Sequence, residues 1–171
     1  PVVALPTPLN GCRADPRAVA QANGSFTVVA PISFASVTDG LGNTMFAAER
    51  SITALRDASG PEEKYGWYFS ATLGDTLFDA MAPPNAFRSE NPLFLPSEAS
   101  SMHSGGLNAL MGDGSVRFIK DSIESWRVSE SGGVAPLGAK LTGGGWWENL
   151  PAAGVWQKIA TRAGGETIEL H

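Results

Sequence analysis

Cys12 is the chain's single cysteine. An internal disulfide is therefore excluded, and the fold must hold by its core. Cys12 itself reads as a small, partly buried apolar residue, with a covalent link to another chain as the alternative. Charge is sparse too: Asp, Glu, Lys and Arg make up 17% of the residues, below the ~25% of an ordinary soluble domain. Lys and Arg number 12 against 17 Asp and Glu, for a net charge of −5. No basic cluster could neutralise phosphates, which excludes nucleic acid and an anionic lipid surface as partners. Long apolar runs are missing as well; none reaches the ~20 residues of a membrane span. No secretory leader is visible, and the chain opens at Pro1, so a processed or omitted segment upstream is expected.

What the chain does have is glycine and proline, 20 and 12 of them, with 43% hydrophobic residues in 171. That combination predicts one β-rich domain over residues 1–171, with short strands, tight turns and long ordered loops, and excludes a helical bundle. Pro1, Pro6, Pro8 and Pro16 make residues 1–25 loop-like. Asn23-Gly24 turns into a β-prone run, Phe26–Ala30, and Ile32–Val37 continues as an edge. Thr38-Asp39-Gly40 is a strong turn, because Asp bonds locally and Gly tolerates positive φ. Asn43–Arg50 fits a strand or a short helix, and periodicity does not choose. Residues 57–64 are a polar surface loop, and Gly66–Leu73 is an aromatic strand. Residues 79–101, with Pro83, Pro84, Pro92 and Pro96, form a long ordered loop of the kind that is often interfacial.

The clearest local signal is a hairpin. Leu107–Gly112 and Val116–Lys120 flank Asp113-Gly114, a leading hairpin cue. Val116 and Phe118 point to one face, Arg117 and Ile119 to the other, and Ile119 between charged neighbours suggests partial cover on both. Gly143, Gly144 and Gly145 give a turn before Trp146 and Trp147. Residues 153–163 read as a short amphipathic helix with Val155, Trp156 and Ile159 on its apolar stripe, closed by Gly164-Gly165.

Four segments carry a resemblance. They are CRADP at 12–16, TDGLGNTMFAAE ending at Glu49, HSGGLNALMGDGSVRFIK at 103–120, and GVWQKIATRAGGE at 154–166. In the third, nine residues separate His103 from Asp113-Gly114. The chain resembles the DUF1559 proteins with the H-X9-DG motif, a pseudopilin-like, prepilin-like family of planctomycete-type bacteria, over about residues 12–166. CRADP departs from the family in lacking a proline after the cysteine. The resemblance implies an α+β, mainly β fold: an antiparallel sheet of a pilin-like body with long loops and one or two short helices. It also implies an N-terminal prepilin-type helix, absent from this chain, that anchors the body to the outer side of a bacterial membrane. His103, Asp113, Gly114, Asp39, Gly40, Asn43 and Glu49 are then motif residues of a structural kind.

Chemistry was weighed against that plainer reading. His103 could serve as a base or metal ligand only with a convergent third group; Asp113, Asp39 and Glu49 are candidates without a spacing that ties them to it. A hydrolase using His103 and Asp113 is the last choice. Asp39, Asn43 and Asp113 are the donors of a conceivable Ca²⁺ site, although they make no EF-hand loop. There is no GxSxG elbow and no P-loop. Trp67, Trp126, Trp146, Trp147 and Trp156 read mostly as anchors, with Trp146-Trp147 and the proline-rich loop as protein contacts ahead of a carbohydrate platform. The expectation is a non-enzymatic subunit without cofactor, binding other protein subunits of an envelope assembly. An accessory subunit of a membrane complex and a Ca²⁺ or carbohydrate module are the alternatives.

Overall fold

The computed structural model describes residues 15–27, 31–51, 76–88, 98–128 and 135–165. The hairpin read from Asp113-Gly114 is its centre. Strands β2 (Gly106–Met111) and β3 (Val116–Lys120) pair antiparallel, with Leu110 opposite Val116 and Gly106 opposite Lys120. Gly114 sits at φ 87°, the left-handed region that glycine enters without strain. Its N–H donates to Met111 O at 3.0 Å and closes the turn. Asn43–Arg50 resolves as a strand: β1 (Met45–Ala48) pairs with the other side of β2, giving the sheet order β1-β2-β3.

A register shift between Met45 and Ala47 marks a bulge in β1. Met45 is buried with the core, while Phe46 stacks on Phe34 at 5.9 Å and meets Phe26 edge-on at 5.9 Å. A second, two-stranded sheet pairs β4 (Lys140–Leu141) with β5 (Trp147–Glu148) across the glycine turn, where Gly145 has φ 84°. The fold is thus α+β with antiparallel sheets and short helices. Among the described residues no helix is long and apolar enough to cross a membrane.

Period-two alternation divides the main sheet. Leu107, Ala109, Met111 and Ile119 face the core with Met45. On the outer face Leu110, Val116 and Phe118 stay 40%, 66% and 51% exposed, so the expected cover on both faces is absent there. Helix α2 (Val155–Ile159) seals the inner face with Trp156 and Ile159, both 0% exposed. It is shorter than expected: Ala160 caps it, and Gly164-Gly165 lies beyond with another task.

Two further expectations are corrected. The loop-like segment 1–25 contains helix α1 (Pro16–Gln21), because Pro16 occupies the first turn, where no N–H is needed. Asp15 caps it by accepting from Arg17 N at 2.8 Å. The edge placed at Ile32–Val37 is instead a 3₁₀ turn, Phe34–Ser36. The described part of 79–101 is loop, with one 3₁₀ turn at Ala86–Arg88, and Ala80, Ala82, Ala86 and Ala99 in it are buried. Side chains of α2 hold it there. Trp156 Nε1 donates to Ala82 O at 2.9 Å, and Gln157 Nε2 to Ala80 O at 2.7 Å. Cys12, residues 57–64 and the strand Gly66–Leu73 lie outside the described residues, as do parts of Phe26–Ala30 and of 79–101.

Trp156 joins the sheet, α2 and the 80–82 segment. Trp156→Ala is expected to cost about 3–5 kcal/mol, read as a drop in the denaturant midpoint without loss of two-state behaviour.

Candidate functional site

Two carboxylates organise the residues that the sequence singled out, one at each end of the sheet. Glu49 follows β1 and lies beside Asn108 of β2. Its Oε2 accepts the Asn108 backbone N–H at 2.8 Å, and its Oε1 accepts the Asn108 side-chain amide at 3.0 Å. His103 Nε2 stands 3.1 Å from the same Oε1. The main chain joins in: Glu49 N–H donates to Asn108 O at 3.1 Å, and Ser100 N–H to Glu49 O at 3.0 Å. Burial pushes the Glu49 carboxyl up, but the Asn108 donors, Ser101 and the His103 charge outweigh it and hold it down at about 2.

The loop that carries His103 is pinned from the other side. Arg88 donates to His103 O at 3.1 Å and to Ser101 O, and pairs with Asp121 at 3.4 Å. Asn85 Nδ2 reaches Asp121 at 2.6 Å, while Asn85 Oδ1 accepts Ser101 N–H at 2.6 Å.

At the far end, Asp39 takes two consecutive backbone donors: Gly164 N–H on Oδ2 at 2.6 Å and Gly165 N–H on Oδ1 at 2.8 Å. Successive N–H groups converging on one carboxylate form an anion nest, here filled by the chain's own side chain. Arg162 fastens the same strap, donating to Ala22 O at 3.1 Å and Gly24 O at 2.7 Å. Gly40, at φ 93°, turns the chain after Asp39, and Asn43 closes the loop on Asp39 O at 3.3 Å. Asp113 serves its own turn, accepting Ser115 N–H at 2.9 Å and Ser115 Oγ–H at 2.7 Å; these bonds lower its carboxyl.

This geometry separates the suggested chemistry. His103 meets Glu49 beside Asn108, while Asp113 sits past the other end of β2, five residues on and so roughly 15 Å away at ~3.3 Å per residue. The pair is too far apart to share a proton or a substrate atom. The Asp39 carboxylate is committed to the Gly164 and Gly165 N–H groups and Asp113 Oδ1 to Ser115, while Asp113 Oδ2 lies against Gly42 of the Asp39–Asn43 loop. Among the described residues no group of three or more His, Cys, Asp or Glu is placed to hold a metal. Trp146 carries the Arg17 guanidinium 3.5 Å from its ring centroid and lies against Gly144. Gln21 binds Trp147 at both backbone groups, donating to its O and accepting from its N–H, each at 2.7 Å. The tryptophan pair thus anchors β5 to α1.

Sequence reasoning missed two buried acids. Asp79 and Glu98 are 6% and 1% exposed. Burial raises Asp79 against the opposing bond from Met81 N–H. It pushes Glu98 up to about 8, despite the bonds from the Phe87 and Ala86 backbone. Glu98 Oε2 has no hydrogen-bond partner. A proline-rich stretch reads as surface, so nothing in the pattern pointed to them.

Two outcomes follow. Asp39→Ala is expected to cost about 1–2 kcal/mol and to speed hydrogen exchange at Gly164 and Gly165, with Asp39→Asn losing less because one acceptor oxygen remains. The acids set the pH profile. Folded Glu98 holds its proton up to about 8 while the unfolded group releases it near 4.5, so stability falls as pH rises across that window. Glu49 acts in the opposite sense, its contribution fading as pH falls from 4.5 to about 2. Thermal melts should peak near the junction of the two windows. Glu98→Gln should flatten the upper limb, which otherwise drops by roughly 2–5 kcal/mol.

The family model described as "protein of unknown function (DUF1559)" matches residues 8–125. Comparison with curated proteins and with solved structures found no match. The matched stretch carries Asp39, Glu49, His103 and Asp113 and stops short of α2. It spans more than half of the chain, which belongs to the DUF1559 family.

Proposed function

We propose that the chain is a non-catalytic structural or assembly subunit of a bacterial envelope complex, pseudopilin-like in its build, that works through protein–protein contacts. One observation carries this reading: among the described residues the candidate carboxylates are committed to hydrogen bonds that hold the fold, while apolar side chains of the sheet are left outside. Glu49, Asp39 and Asp113 accept backbone N–H groups. Outward, the sheet presents Leu110, Val116 and Phe118, the kind of apolar row that marks an interaction face. The placement outside the cytoplasmic membrane, with an anchoring helix upstream, rests on the family resemblance.

The apolar recess of about 320 Å³ between Phe26, Phe34, Phe46 and Ile32 favours a second reading, a small-ligand module. That volume lies at the lower end for ligand pockets.

A photo-crosslinking residue at Leu110, on the outer face of the central strand, tests the first reading in cells making the full-length protein. Adducts with other envelope polypeptides are expected at Leu110 and not at Arg17. Absence of any adduct from the membrane fraction, together with a small molecule recovered from the native protein by mass spectrometry, would overturn it in favour of the second.

A further inference from the structure

The two edges of the main sheet are not alike. Along β1 the bulge breaks the ladder, and Ser25 Oγ–H donates to Met45 O at 2.6 Å. Along β3 there is no bulge and no proline, two common guards of an exposed edge. The register decides which β3 groups face outward. Met111 N–H donates to Ser115 O at 2.8 Å, and Asp121 N–H to Gly105 O at 2.9 Å. Hydrogen-bonded pairs recur at every second position between these bonds, so Arg117 and Ile119 spend their backbone groups on Ala109 and Leu107. Val116, Phe118 and Lys120 therefore turn their N–H and C=O groups away from β2. Lys120 O also accepts Ile123 N–H at 3.1 Å, and among the described residues no other bond claims these groups.

We infer that two copies of this chain pair edge to edge through β3, antiparallel about a twofold axis at Phe118, and join their main sheets into one. An open edge is matched by another strand, since only extended backbone presents donors and acceptors at the ladder spacing. The strand's own sequence selects the second copy and the register. Outward groups allow twofold axes at Val116, Phe118 or Lys120, where the self-paired residue exchanges both bonds, and at Arg117 or Ile119, where it exchanges none. An axis at Arg117 opposes two guanidinium groups, and one at Ile119 sets Val116 opposite Ser122, beyond the strand. An axis at Lys120 sets the two ammonium groups face to face. An axis at Val116 places Phe118 opposite the Gly114 turn. An axis at Phe118 pairs all of β3. It sets Phe118 against the partner's Phe118, Arg117 against the partner's Ile119, and Lys120 against the partner's Val116. No cation then meets its like, and an aromatic pair stands at the centre.

This deepens the assembly reading and rests on it. Sedimentation equilibrium of the 171-residue chain over a concentration series reads it directly. The mean mass is expected to rise from the monomer toward twice that value. Phe118→Pro removes an outward N–H that β2 does not use, and Phe118→Asp sets two carboxylates face to face. Each should move the dimer midpoint at least tenfold higher in concentration, with circular dichroism showing the fold retained. A chain that stays monomeric throughout, or a dimer that both folded variants leave unchanged, overturns the inference. Leu110 adducts with other envelope proteins would survive that result, so failure of the pairing is distinguishable from failure of the assembly reading.

Discussion

Trp156 is completely enclosed, with its ring in the core that backs the sheet and its indole N–H bonded to Ala82 O. Enclosing an indole requires a partner for that N–H as well as apolar cover. Both come from the segment around Ala80 and Ala82, which has no regular structure of its own. Gln157 completes the arrangement: its amide donates to Ala80 O and Ser125 Oγ and accepts Trp126 N–H at 3.2 Å. Gly154 makes the approach feasible, because a side chain there would meet Glu124 O at 2.7 Å. One short helix thereby substitutes for the second layer that a sheet needs.

The same economy explains the polar residues. A small sheet with long connections must fix where each connection leaves and returns. Glu49 does so at β2, tying the end of β1 to His103 and Asn108, more than fifty residues further along the chain. Asp39 does so for the 161–165 strap. In each case a carboxylate accepts backbone N–H groups from a distant segment, a stronger bond than between neutral partners. A carboxylate engaged in this way is poorly suited to general-base work, since its lone pairs are committed and, for Glu49, proton affinity is reduced.

Much of the hairpin was legible in the sequence. Asp113-Gly114 between alternating runs specifies a turn, and period two sets Ile119 on the opposite face from Val116 and Phe118. The Trp156 and Ile159 stripe was legible for the same reason, a period that matches the element. Contacts between distant segments were not. Nothing local says that Glu49 lies beside His103, or that Gly164-Gly165 serves Asp39 and not the helix end. Proline misled twice: Pro16 opens a helix instead of preventing one, and the Ala80–Ala82 segment that begins the proline-rich stretch is drawn inward by bonds to its carbonyls. Tertiary hydrogen bonding overrode local composition in both places.

The buried acids bear on the proposed role. Glu98 leaves one oxygen without a partner, which is tolerable only while the group holds its proton. Neither it nor Asp79 belongs to a metal-ready cluster, and both are too enclosed to act on a solute. Their cost therefore falls on the stability of the described segments 79–88 and 98–101, which α2 and Asn85 hold in place. Among the described residues the β3 edge stands out, because its outward backbone groups are left open. Unsatisfied backbone groups beside an apolar row are a liability for a lone molecule and an advantage for one that is built into an array. The asymmetry between the guarded β1 edge and the open β3 edge is the feature that a solitary domain would have least reason to keep.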